Sequence, residues 1–216
     1  MVFQPKANQV AWIKVAVFAA GLIPLARLAW LGLHRGLGAN PIEYITHSTG
    51  WWALGFLMVT LAVTPLRRLA NLPWLLRLRR MLGLFAFFYA SLHFTTYIWL
   101  DQFFDVKEIV KDVVKRPFIT VGFAAFVLLI PLAVTSTNAM VRRLGAKRWQ
   151  ILHRLVYLIG ALGVIHFRWL VKKDITEPFI FAVLLAALLI IRLLYLLRQQ
   201  RAATAAASST ARSRTA

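Results

Sequence analysis

Six apolar runs, each near the ~20 residues that cross a bilayer's hydrocarbon core, constrain this chain more than anything else in it. They cover 10–33, 50–66, 81–100, 118–135, 151–171 and 178–197. The chain is 60% hydrophobic over 216 residues, with a mean hydropathy of +0.69. Soluble domains are nearer ~half apolar, so the pattern predicts an all-α polytopic membrane bundle of six transmembrane helices. Pro24 and Pro131 lie inside runs one and four. They are expected to kink those helices, with neighbouring helices covering the freed carbonyls. The reading divides the chain into an N-terminal segment (1–9), a transmembrane domain (10–197) and a tail (198–216). The tail is Ala/Ser/Thr with scattered Arg, lacks apolar periodicity, and is expected to be disordered. The first run is too long for a cleavable signal and is expected to remain as a helix.

The formal charge is +19, from 26 Lys+Arg against 7 Asp+Glu. Such an excess can mark nucleic-acid binding. Here many of the charges sit in short loops beside apolar runs, which is a topology signal, so nucleic acid is set aside as a partner and membrane lipid is the expected surroundings. The 2–3 loop holds Arg67, Arg68, Arg77, Arg79 and Arg80, and the 4–5 loop Arg142, Arg143, Lys147 and Arg148, without an acid in either. The 3–4 loop mixes Asp101, Asp105, Glu108 and Asp112 with Lys107, Lys111, Lys115 and Arg116. The positive-inside rule then places loops 2–3 and 4–5 and both termini in the cytoplasm. Trp30, Trp51, Trp52, Trp99 and Trp169 fall near the outer interface as an aromatic belt. There is no cysteine, which excludes disulfides, thiolate zinc sites, Fe–S clusters and thiol catalysis.

Ionisable side chains inside a membrane are costly and mostly functional. His93 lies deep in run three, and His153 and His166 in run five. Helices three and five both run outward. His93 sits about 11 residues above the cytoplasmic end of its helix and His166 about 15 above that of its own, a difference of about 6 Å. The two can therefore face each other in the outer half. Neutral imidazole is the side chain that binds haem iron axially, so a bis-histidine haem clamped between two helices is the central expectation. The alternative is a pair of core histidines bonded to backbone or water.

His153 lies 13 residues before His166, about 220° away at ~100° per residue, so the two do not share a strict face. It could ligate a second haem, line another cofactor's pocket, or be an interfacial histidine beside Arg154. His47 starts helix two on the outer side, where it could contact haem or a propionate, or be interfacial. His34 reads as a solvated loop residue. Gly83, Gly122, Gly160 and Gly163 are expected at helix-packing or cofactor-clearance positions. The cluster Arg77, Arg79, Arg80 is a topology signal also placed to hold a nucleotide cofactor's phosphate. No carboxylate lies inside an apolar run, and no phosphate-binding glycine loop or serine–histidine–acid set is present.

Four segments carry a family resemblance: GLGANPIEYITHSTGWWAL (36–54), RRMLGLFAFFYASLHFTTY (79–97), RPFITVGFAAFVLLIPLAVTS (116–136) and WQILHRLVYLIGALGVIHF (149–167). They resemble the MsrQ (YedZ) family, the haem-binding membrane subunits of bacterial periplasmic protein-methionine-sulfoxide reductase systems. That family is part of the ferric-reductase-like transmembrane group, with NADPH oxidases and metalloreductases. The resemblance covers roughly residues 8–195. It implies a multi-pass inner-membrane electron carrier, a redox subunit rather than the catalytic one. Electrons would pass from a cytoplasmic flavin reductase or reduced flavin through FMN and haem b to a periplasmic molybdopterin subunit, MsrP, supporting repair of oxidised periplasmic proteins. The family's histidines map onto His93, His153 and His166.

NADPH oxidases place two histidines on each haem helix, whereas helix three here has one, and the place of a second falls near Arg79. The metalloreductase arrangement fits better: one haem in the outer half, with flavin in the inner half bordered by His153 and the arginine cluster. Only a short tail follows run six, so a fused FAD/NADPH domain is not expected. A quinone-linked b-type cytochrome and a cofactor-free membrane transporter or scaffold stay open as other classes.

Overall fold

The structure is a computed structural model describing residues 4–215, with side chains described to residue 204. Residues 1–3 of the expected N-terminal segment and Ala216 of the expected tail lie outside the described residues. Among the described residues there is no strand. The helices are α1 (Ala7–Leu33), α2 (Pro41–Leu69), α3 (Leu76–Thr96), α4 (Val106–Lys115), α5 (Pro117–Val134), α6 (Asn138–Leu144), α7 (Ala146–His153), α8 (Leu155–Leu170) and α9 (Thr176–Thr215). Six stretches are long and apolar enough to cross a bilayer: Ala7–Leu33, Pro41–Leu69, Pro73–Asp101, Pro117–Val134, Ala146–Leu170 and Thr176–Thr204. The chain is an all-α polytopic membrane protein.

Several helix ends are set by caps rather than by hydropathy. α2 starts at Pro41, well before its apolar run, because Asn40 accepts from the Glu43 N–H (3.2 Å) and proline suits a first helical turn. His47 therefore rides on helix. α3 starts at Leu76 after a single 3₁₀ turn, Pro73–Leu75. Arg77, Arg79 and Arg80, expected in a loop, thus lie in the first turns of α3. Its far end widens into a π-turn, Tyr97–Asp101, followed by Phe103 and Phe104 at positive φ (47° and 61°). The charged 3–4 connection, read as a loop, folds as α4. Asp105 caps it by accepting from the Lys107 and Glu108 N–H groups, and Lys111 pairs with Glu108 at 2.7 Å. Run five is interrupted: the ladder breaks at Arg154, directly after His153. α9 runs on to Thr215, through the stretch whose composition suggests disorder. Its Ala, Arg and Gln are strong helix formers, and local propensity carries the helix onward.

α2 is the axis of the bundle. Half of its membrane window is buried, against 22% or less in each other span. Its Leu57, Met58 and Leu61 meet Leu129 of α5, Ile159 of α8 and Leu185 of α9. Without a hydrophobic drive between helices in lipid, such packing rests on close fit. Gly160 makes room for Leu185 and Gly163 for Leu54, as their small size suggests.

α1 docks on α3 at its proline. The Tyr89 hydroxyl donates to Gly21 O (2.7 Å) and accepts from the Leu25 N–H (3.2 Å), one either side of Pro24. Those two groups lie four residues apart and would otherwise pair within the helix. Tyr89, 0% exposed, bridges the two groups from α3.

Candidate functional site

His93 and His166 come together. Their ring centroids are 6.0 Å apart with planes at 75°. Each is held by a helix it does not belong to. His93 of α3 donates its Nδ1–H to Thr46 O of α2 (2.9 Å), and His166 of α8 donates its Nδ1–H to Phe118 O of α5 (2.7 Å). A carbonyl only accepts, so both rings carry their proton on Nδ1 and both Nε2 atoms keep a free lone pair. Neither Nε2 has a hydrogen-bond partner among the described residues.

The two seats are built alike. Gly50 lies four residues after Thr46, and Gly122 four residues after Phe118. In a helix each Cβ leans toward the N-terminus, so the side chain at i+4 overhangs the carbonyl at i. Glycine removes that overhang and lets the imidazole reach the carbonyl. A Cβ on Gly50 would lie 3.0 Å from His93 Nδ1, and one on Gly122 only 2.6 Å from His166 Nδ1.

Both rings line one cavity of about 350 Å³, within the range of small-molecule and cofactor sites. Its walls are apolar and partly small: Ala53 and Leu57 of α2, Ala86 and Ala90 of α3, Phe126 and Leu129 of α5. Ile109 and Val113 of α4 also line it, together with the polar side chains of His47, Tyr97, Asp101 and Arg116. Asp112, 7% exposed, lies beside these polar residues. It accepts from Gln102 Nε2 (3.1 Å) and the Tyr97 hydroxyl (3.5 Å) and pairs with Arg116 Nε (3.2 Å).

The donor set tests the expected haem. Among the described residues no three His, Asp or Glu side chains gather as a metal site. Two imidazole lone pairs therefore suit a metal that brings its own equatorial ligands. A metal–imidazole bond is ~2.0 Å, so two imidazoles whose centroids lie ~6 Å apart leave room for one metal atom between their nitrogens. The observed 6.0 Å fits. The Nδ1–H···O=C bonds are the outer contacts that orient a metal-bound histidine.

His153 is placed differently. The one Thr135 hydroxyl proton goes to Pro131 O, so that oxygen accepts from His153 Nε2–H at 3.0 Å. His153 thus holds the opposite tautomer, with its Nε2 already engaged, and stacks on Trp149 (centroids 3.9 Å, 26°). Trp149 in turn donates Nε1–H to Thr135 O (2.8 Å). Arg79 approaches His153, Tyr157 and Arg192 closely enough to interact electrostatically. The Arg192 guanidinium lies 4.7 Å over the Tyr157 ring. Arg80 turns away to donate to Asn138 Oδ1 (2.6 Å), and Arg77 is exposed. Of the arginine cluster, only Arg79 joins His153. His34 stacks on Trp30 at the end of α1.

Sequence alone does not mark α4, Gly50 or Asp112 as parts of the site. The first had a signal: apolar residues at 106, 109, 110, 113 and 114 follow helical spacing behind an Asp cap.

Comparison with known proteins gives the family. Residues 49–164, which contain Gly50, His93 and Gly122, match the family described as "Ferric reductase like transmembrane component". A protein of Herminiimonas arsenicoxydans named protein-methionine-sulfoxide reductase heme-binding subunit MsrQ is 63% identical over 188 residues, 86% of each chain. Proteins of the same name from Ralstonia nicotianae and Azospira oryzae are 56% and 54% identical, over 81% and 86% of this chain and 81% and 80% of theirs. With alignment at this level along most of its length, the chain belongs to the MsrQ family, within the ferric-reductase-like transmembrane group.

Proposed function

We propose that this chain is the transmembrane electron-transfer subunit of a periplasmic protein-methionine-sulfoxide reductase system, holding haem b between His93 and His166. The observation that carries the reading is the pair of free Nε2 atoms on rings 6.0 Å apart in one apolar cavity. The relatives' name, heme-binding subunit, supports it. Haem b supplies one-electron redox chemistry when bound. The protein fixes both ligand nitrogens, orients them through Thr46 O and Phe118 O, and keeps the site apolar.

The arginine-rich end faces the cytoplasm of a bacterial inner membrane, by the positive-inside rule. There Arg79 and Arg192 form a cationic pair beside the neutral His153. This suits the phosphate of FMN. Electrons enter at this end from flavin reduced by a cytoplasmic reductase and leave at the α4 end toward the molybdopterin subunit MsrP. His153, with Nε2 engaged by Thr135, borders the flavin rather than ligating a second haem.

The test is anaerobic reduction of the purified protein in nanodiscs. NADH, flavin reductase and FMN should reduce a b-type haem band, and MsrP with methionine sulfoxide should reoxidise it. Reduction by quinol but not by flavin would replace the reading with a quinone-linked cytochrome. No visible chromophore after haem-replete expression would leave a membrane scaffold.

A further inference from the structure

The face of α4 turned away from the cavity has no covering in the fold. Val106, Val110 and Val114 are 69%, 56% and 78% exposed and form a stripe at i, i+4, i+8. Exposed Phe103 and Phe104 extend it from the preceding turn. Lys107, Lys111 and Lys115 run beside the stripe at the same spacing. Lys111 is paired with Glu108, which leaves Lys107 and Lys115 outside any ion pair among the described residues. At ~100° per residue the valines occupy one sector, the lysines the next, and Asp112 with Ile109 the side packed on the bundle.

α4 also has a fixed height. The span before it ends at Asp101 and the span after it starts at Pro117. A helix of 10 residues, ~15 Å long, joining two such ends lies at the membrane boundary. The residues that lead into it from the preceding span, Trp99, Phe103 and Phe104, are exposed and apolar too, at 57%, 78% and 63%. A reductase partner that docks and leaves would bare this apolar surface between encounters, whereas a bilayer covers it at all times.

We infer that α4 is an interfacial anchor: its valines insert into the leaflet on its own side, and Lys107 and Lys115 bind the phosphate groups of anionic phospholipids. This is the arrangement of an amphipathic helix lying in the membrane plane. Anchored so, it keeps Ile109 and Val113 against the cavity they line. The inference does not depend on what the cavity holds.

The chain has no cysteine, so Val110→Cys in the full-length protein can carry a single environment-sensitive fluorophore. The protein is placed in nanodiscs of phosphatidylcholine, alone or mixed with phosphatidylglycerol, with lipids brominated at shallow acyl carbons as quenchers. The expected result is quenching at position 110, strengthened by phosphatidylglycerol, with a Glu108→Cys probe left unquenched. Lys107→Gln with Lys115→Gln should abolish the phosphatidylglycerol effect, each lysine contributing about fivefold to headgroup attraction. A position-110 probe that stays water-exposed in both lipids overturns the inference. Shielding that appears only when the purified partner reductase is added overturns it too, and makes the face a protein-docking surface.

Discussion

Gly122 and His166 fit so closely that a single added methyl would lie 2.6 Å from the imidazole Nδ1. The same ring donates to Phe118 O, one turn earlier on the same helix. Gly122→Ala should therefore displace the ring and break the bond that sets its tautomer. Overpacking of this kind costs about 1–3 kcal/mol, roughly 5- to 150-fold in ligand affinity. Gly50→Ala, with 3.0 Å at the matching point on His93, should cost less. Haem per purified chain, titrated against added haemin, checks both. Equal affinity in wild type and Gly122→Ala would show that the ring seat does not control the site.

His153 gives the second prediction. Its Nε2 donates to Thr135, whose own proton is taken by Pro131 O. His153→Ala should leave the haem content unchanged. Reduction by flavin should weaken by roughly tenfold, the scale of one lost hydrogen bond to a cofactor. Haem content falling by half would instead make His153 a ligand of a second haem.

Tyr89 gives a stability prediction free of any cofactor. Its hydroxyl joins Gly21 O to the Leu25 N–H across Pro24. Tyr89→Phe removes both bonds and should cost about 1–2 kcal/mol, somewhat less if the unfolded chain finds other partners in the membrane. Gly21→Ala should cost at least as much, since its Cβ would meet the Phe85 ring at 2.5 Å. Unfolding in mixed detergent micelles reads both. An unchanged midpoint for Tyr89→Phe would mean that α1 is held by other contacts.

The six spans were legible because each apolar run is near a bilayer's width, and lipid leaves helix as the way to satisfy the backbone. His93 and His166 were legible as a pair because counting residues from the membrane edge gives depth. The seats of the two rings were not. Gly50 acquires meaning only once His93 is known to approach Thr46 O across a helix boundary, and no spacing within α2 discloses that. The tautomers were hidden for the same reason, since each is set by a carbonyl or hydroxyl on another helix. The charges of 101–116 obscured α4, whose valines and Asp105 cap point to a helix. Asp112 was unremarkable among four acids until the fold buried it.

The central claim is that His93 and His166 hold one haem between them. The most direct measurement is haem quantified per chain for wild type, His93→Ala and His166→Ala, with oxidised and dithionite-reduced spectra of the detergent-purified proteins. Wild type should carry about one b-type haem, held by both imidazoles. Either substitution should abolish that spectrum while the protein remains inserted in the membrane. Full haem content with an unaltered spectrum in both variants would contradict it.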